Sequence, residues 1–340
     1  MLESRSLPLE PHTHVMSIVF IGTPAFAVPS LRRLTSTGHE ITVVITQPDR
    51  PVGRHGTPQP PPVKLAAEEL GLRVLQPQSL RDPAAVAELR AEAPEVIVVV
   101  AYGQILRPEV IEIPARAVLN VHPSLLPRWR GASPIPAAIL AGDTETGVTI
   151  ILMDAGMDSG PILSQRSLAI SDDDAAGSLS ERLSEAGADL LAETIPRWLV
   201  HEVEPVAQDD SQATTCPILR KEDGIIDWRL TATDIWRRVR AYNPWPGAYT
   251  SLNGELLHIW RAWPLDSESG TEPGTVVAID TASSERLTAN NANAAAFAVQ
   301  TGSGILVPLE LQRAGRRSLP ASEFQRGMPG LVSRRLGSSV

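Results

Sequence analysis

Apolar positions in the first half of the chain come in short, dense runs separated by helical stretches. Ser17–Ile21 is an apolar run ending in Gly22-Thr23-Pro24, and a helical stretch over about Phe26–Thr37 follows, closed by Gly38. Ile41–Thr46 is β-branched and apolar, the pattern of a buried strand. Gln47–Pro62 is rich in Pro and Gly and long for an α/β connection. Val63–Leu70, with Gly71 as its stop, and Pro83–Ala93 read as helices. Val96–Ala101 is the most continuous β run, and its all-apolar character predicts a central strand covered on both faces. Ala117–Val121 and Thr149–Met153 add two more strands. Strands alternating with helices predict a doubly wound parallel sheet of the Rossmann-like α/β class.

The pattern breaks at a polar stretch, about Glu202–Thr215, that reads as a linker. Beyond it, apart from a helix near Thr233–Arg240, the runs are short and separated by turns: Ala248–Leu252, Leu256–Trp260, Gly274–Ile279, Phe297–Thr301 and Ile305–Leu311. Asn253-Gly254 between the first two is a strong hairpin signal. These strands predict a small C-terminal β-barrel of OB-like type. The Ala/Asn-rich stretch Thr288–Ala296 reads as a variable loop. The predicted organisation is a disordered N-terminal extension over 1–15, an α/β domain over 16–203, a linker over 204–220, a barrel over 221–331 and a tail over 332–340.

Composition narrows the class. The 340 residues are 43% hydrophobic and 20% charged, enough for two packed cores and unlike a disordered chain. The single cysteine, Cys216, excludes a disulfide framework within one chain and reads as an incidental thiol in a polar stretch. The first residues lack the apolar core of a secretory signal, and no run reaches the ~18 apolar residues of a membrane helix. A cytoplasmic protein is expected. A net charge of −9 argues against nucleic-acid binding by the chain as a whole, although six arginines and one acid lie between Arg313 and the end. The plainer reading of that end is a solvated tail.

Candidate chemistry lies where strands end. The first βα turn, Gly22-Thr23-Pro24-Ala25-Phe26, lacks the glycines of a dinucleotide fingerprint, which disfavours NAD. Ligands of open parallel sheets bind beyond the carboxyl ends of the strands. Asn120 and His122 stand two apart at such an end and share a face. An amide donor beside an imidazole suits acyl transfer, one stabilising an oxyanion and the other managing a proton. The plainer alternative is a structural histidine and a turn asparagine. A carboxylate partner for His122 is available in Asp154 or Asp158, and spacing does not choose between them. No metal-ligand spacing, nucleophile elbow or phosphate-binding lysine loop is present. Pro48–Lys64 carries Arg50, Arg54 and Lys64 among six prolines. Such a loop can grip a phosphate backbone, yet on residues alone it reads as a proline-rich surface loop.

The stretches FIGTPAFAVPSL, TQPDRPVGR, PPVKLAAEELGL, VVVAYGQIL, NVHPSLLPRWRGASPIPAAILAGDTETGVTI and MDAGMDSGPIL, with Ile226–Trp228 and RAYNPWPGAY further on, carry a close resemblance. Together they resemble the methionyl-tRNA formyltransferases, within the folate-dependent formyltransferase family, from about Met16 to Leu331. The resemblance implies a formyltransferase fold followed by a tRNA-contacting barrel. It implies 10-formyltetrahydrofolate as co-substrate, no metal, initiator methionyl-tRNA as partner, and a monomer away from membranes. It maps the catalytic set onto Asn120, His122 and Asp158. It maps folate contacts onto Ser124, Leu125, Leu126 and Pro127 with Tyr102, Gly103 and Ile105, and tRNA contacts onto Arg50, Arg54 and Lys64. His55-Gly56-Thr57 stands where close relatives carry lysines, so the loop is less cationic than theirs, and Ile218 lies near where a linker lysine is often found. Other readings are a different folate-dependent formyltransferase or formyltetrahydrofolate hydrolase, a non-catalytic tRNA- or folate-binding module, and a generic nucleotide-binding Rossmann enzyme.

Overall fold

A computed structural model describes residues 15–52, 56–279 and 296–337. Seven strands form the main sheet: β1 (Ser17–Gly22), β2 (Glu40–Ile45), β5 (Val74–Leu75), β6 (Val96–Val100), β7 (Ala117–His122), β9 (Glu145–Leu152) and β10 (Ile162–Ala169). Their order is β10-β9-β7-β6-β1-β2-β5. β1 pairs in parallel with β2 and β6, and β6 with β7. The predicted central run is β6, flanked on both sides and buried at every residue. Register aligns Gly22 with Val100 and Val99 with Asn120, so the carboxyl ends of β1, β6 and β7 open on one rim.

The helices α1 (Val28–Ser36), α2 (Pro62–Glu69), α3 (Pro83–Ala91) and the long α6 (Ala176–Leu199) follow the predicted helical stretches, except that α6 was not singled out. Asp82 caps α3, its carboxylate accepting from the Ala84 amide at 2.9 Å, with Pro83 in the first turn, where its missing N–H is harmless. The proline-rich loop contains a short hairpin, β3 (Arg50–Val52) with β4 (Thr57–Gln59). No helix among the described residues is long and apolar enough to cross a membrane.

The chain resolves into two compact units. The first comprises Met1–His122, Ile150–Ser164 and Ser184–Ala207; the second comprises Pro123–Thr149, Gln165–Leu183 and Gln208–Val340. In the first, Val19, Ile45, Ile97, Tyr102, Leu106 and Val110 share one apolar core.

In the second unit the predicted strands form an antiparallel sheet: β12 (Ala248–Leu252), β13 (Glu255–Leu265), β16 (Ile305–Arg313), β15 (Phe297–Gln300) and β14 (Val276–Ala278), in that order, with β17 (Leu319–Pro320) beside β16. Asn253 and Gly254 both have positive φ (54° and 79°), as a tight hairpin between β12 and β13 requires. β13 runs past the predicted Trp260 because register shifts between Ile259 and Ala262 interrupt the two-residue alternation without ending the strand. The core of this sheet gathers Trp228, Ile235, Val239, Ile259, Phe297 and Leu306. The stretch Thr288–Ala295 of the expected variable loop lies outside the described residues.

The expected linker over 204–220 is not loose. Val206 bridges to Ile162 in the first unit. In the second, β11 (Thr215–Cys216) pairs with β8 (Arg130–Gly131), and Arg130 binds Gln208 and Asp210 through its guanidinium. Cys216 is buried, its thiol donating to the Arg130 carbonyl at 3.3 Å. Most of the stretch is exposed, and only some of its residues are tied to the protein, so its composition remains that of a linker.

Arg240, in α7 (Ala232–Ala241), holds the second unit together across 66 residues of sequence. Its guanidinium donates to the carbonyls of Asp174, at 2.7 Å, and Ser171, and lies 4.4 Å from the Trp236 ring. Burial pulls its pKa below the usual arginine value. Arg240→Ala strands two acceptors, and urea unfolding is expected to show a loss of about 2–3 kcal/mol, with Arg240→Lys only partly restoring it. A loss below about 0.5 kcal/mol would show that these bonds are not what secures this region.

Candidate active site

β7 delivers two polar side chains to the rim from one face. Asn120 and His122 are two residues apart on the strand, and both are buried. Opposite them is the loop between β9 and β10. There one carboxylate faces both: Asn120 Nδ2 donates to Asp158 Oδ1 at 3.4 Å, and His122 Nδ1 stands 3.6 Å from Asp158 Oδ2. The carboxylate side chain is 19% exposed and the imidazole 5%. A carboxylate at Nδ1 favours a proton on that nitrogen and leaves Nε2 as the working nitrogen. The two separations are long for hydrogen bonds, the usual state of a catalytic set before substrate tightens it.

The two aspartates left open by spacing have different tasks. Asp154 builds the loop: its Oδ1 accepts from the Gly156 amide at 2.9 Å and the Ser159 hydroxyl at 3.0 Å. Asp158 sits in the left-handed region at φ 53°, which aspartate tolerates better than most side chains. Gly160 makes the approach possible, since a Cβ there would lie 1.7 Å from the Leu152 carbonyl oxygen.

The segment after β6 divides in the same way. The Tyr102 carbonyl accepts from the Thr23 hydroxyl at 3.1 Å and the Gln47 amide at 2.9 Å, tying the ends of β1, β2 and β6 together. The Tyr102 side chain turns into the first unit's core, and burial pushes its pKa up to about 12. Its side chain packs in that core, which leaves its backbone as what it can offer a ligand. Gly103 (φ 82°) and Ile105, 78% exposed, are the open positions. Gln47 and Thr23 were not singled out from the sequence; a buried polar residue directly after an apolar strand is the signal that marks Gln47.

In the second unit, Ser124–Pro127 is held by residues the sequence pattern also missed. The Thr149 hydroxyl donates to the Ser124 carbonyl at 2.6 Å and accepts from the Leu126 amide at 3.2 Å and the Gln165 side chain at 2.9 Å. Gln165 also donates to the Leu126 carbonyl at 2.8 Å. Ser124 and Leu126 are buried, and the Ser124 hydroxyl is spent on the Arg128 carbonyl at 2.7 Å. Leu125 and Pro127 remain partly accessible. The signal that could have marked Thr149 is a polar residue followed directly by the apolar run Ile150–Leu152.

The two loop cations that the structure describes both have partners. Lys64 pairs with Asp49 at 2.9 Å, and Arg50 donates to the Gln47 side chain. The Gln76 amide and Lys64 hold the Asp49 carboxyl below its ordinary range. Arg54 lies outside the described residues. Among the described residues no group of three or more His, Cys, Asp or Glu converges as a metal site.

Comparison with known proteins identifies the family. The formyl transferase family profile matches residues 16–195, and the formyl transferase C-terminal domain profile matches residues 218–329. A methionyl-tRNA formyltransferase of Chloroflexus aurantiacus is 48% identical over 313 residues, 92% of this chain and 97% of that protein. Two solved structures share the fold at 18% identity. HypX from Aquifex aeolicus in complex with tetrahydrofolic acid has a TM-score of 0.61 over 94% of this chain, which spans about half of HypX (48%). The methionyl-tRNA formyltransferase from Clostridium thermocellum has a TM-score of 0.51, over 76% of this chain and 96% of that one. With both profiles matched in sequence order over most of its length, the chain belongs to the formyl transferase family.

Proposed function

We propose that this chain transfers the formyl group of 10-formyltetrahydrofolate to the α-amine of methionyl-initiator-tRNA, as a monomeric cytoplasmic enzyme. Residues 16–203 carry the chemistry, and residues 221–331 contact the tRNA. The reading is carried by one carboxylate facing an amide and an imidazole at a strand end, in a chain 48% identical to a methionyl-tRNA formyltransferase over 92% of its length.

The amine attacks the formyl carbon and forms a C–N bond, and the carbonyl oxygen takes up negative charge. Asn120 donates its amide N–H to that oxygen, and protonated His122 donates from Nε2. Asp158 holds the imidazole and draws the proton from the attacking nitrogen. That proton passes to the folate nitrogen as its bond to the formyl carbon breaks, giving formylmethionyl-tRNA and tetrahydrofolate. Ser124–Pro127, Gly103 and Ile105 border the folate, with Tyr102 contributing through its backbone. Arg50, Arg54 and Lys64 engage the acceptor's phosphates, Lys64 by exchanging Asp49 for phosphate.

Radiolabelled formyl transfer to initiator versus elongator methionyl-tRNA tests the assignment: label on the initiator species is expected, and none on either would reject it. Asn120→Ala, His122→Ala and Asp158→Ala are each expected to lower kcat by about 10²–10³ while the fold survives. Asp154→Ala is expected to act through loop order, with a smaller loss; wild-type rates in the first three would exclude the proposed roles. Tyr102→Phe is expected to leave the folate KM within about twofold of wild type, because only a core hydroxyl is removed. A tenfold rise would place the phenol in the site. Arg54→Ala is expected to raise the tRNA KM several-fold with the folate KM unchanged, and parallel loss of both would indicate misfolding.

A further inference from the structure

An open cleft of about 640 Å³ lies on the first unit along α3 and the start of α4 (Pro108–Ile111). Three arginines line it: Arg81 before the cap of α3, Arg90 in its last turn and Arg107 at the cap of α4. None of them makes an ion pair or side-chain hydrogen bond among the described residues. The acids that α3 carries are already engaged, since Arg73 binds both Glu88 and Glu92. Glu109 is the one acid in the lining, and the floor is apolar: Leu80, Pro83, Val86, Ala87 and Ala91.

The charges are strung out rather than clustered. Nine residues from Arg81 to Arg90, mostly helical, span about 13 Å. A single phosphate draws guanidiniums to one point; a row over an apolar floor fits a chain that alternates carboxylates with methylene arms. Successive γ-linked glutamyl units repeat about every 6 Å by their bond lengths. The cleft also grows out of the proposed folate border. Tyr102–Ile105 runs through buried Leu106 into Arg107, and Gln104 Nε2 donates to the Gln78 carbonyl at 3.2 Å, joining that segment to the one bearing Arg81.

We infer that this cleft binds the oligo-γ-glutamyl tail of the folate co-substrate, Arg81, Arg90 and Arg107 pairing with successive carboxylates while the methylenes lie on the α3 floor. This rests on the proposed use of a folate. The test is direct binding of tetrahydrofolate monoglutamate and pentaglutamate, by calorimetry, to the full chain and to Arg81→Gln/Arg90→Gln/Arg107→Gln. Wild type is expected to bind the pentaglutamate about tenfold more tightly, an advantage that shrinks at high salt and falls within about twofold in the triple variant. Equal binding of the two by wild type, or an advantage retained by the variant, would overturn it. Formyl transfer measured on the same preparations separates the two proposals: a tail effect without transfer to methionyl-tRNA removes the acceptor assignment and leaves the tail site standing.

Discussion

Asp158 faces the Asn120 amide with one carboxylate oxygen and the His122 imidazole with the other, and the proposed chemistry depends on that shared contact. Neither partner could take its place by itself. The amide supplies a donor without a proton to give, and the imidazole needs a fixed tautomer before its outer nitrogen can work. A carboxylate between them sets the orientation of both. What remains of the local structure serves to keep it there: Asp154 folding the loop, Gly160 permitting close approach to the Leu152 carbonyl, and Asp158 itself in a left-handed conformation.

The parallel sheet turns this contact into a site. β1, β6 and β7 end in register, so residues far apart in sequence reach one rim without long side chains. In each unit, buried polar groups help to fix a loop beside its apolar packing. Gln47 and Thr23 secure the Tyr102 carbonyl, and in the second unit Thr149 and Gln165 secure Ser124–Leu126. Buried amides and hydroxyls left without partners are costly, so each such network has one low-energy arrangement and presents its loop rigidly. Rigid presentation suits a reaction driven by preorganised donors.

Much of this was legible in the sequence. The all-apolar β6 run, the Asn-Gly hairpin and the paired polar residues of β7 each follow from a local period or a backbone requirement, and they stand where the pattern predicts. Whether Asp154 or Asp158 meets His122 was not legible from spacing, because it turns on a positive φ and a glycine contact across the loop. The burial of the Tyr102 side chain was not legible, because an amphipathic side chain at a strand end reads equally as pocket wall or core. The contacts of Gln208 and Asp210 with Arg130 were not legible, because polarity does not reveal whether a side chain bonds to solvent or to protein. The alternation that ended at Trp260 was broken by a register shift, not by the end of the strand.

The state of the His122 ring tests the central contact most directly. Nitrogen-15 NMR of labelled protein should find the proton on Nδ1, facing Asp158, at every pH at which the protein is folded. Asp158→Asn should redistribute it between the two nitrogens. A His122 ring whose Nδ1 is unprotonated in the wild type, or whose tautomer is unchanged by Asp158→Asn, would contradict the account.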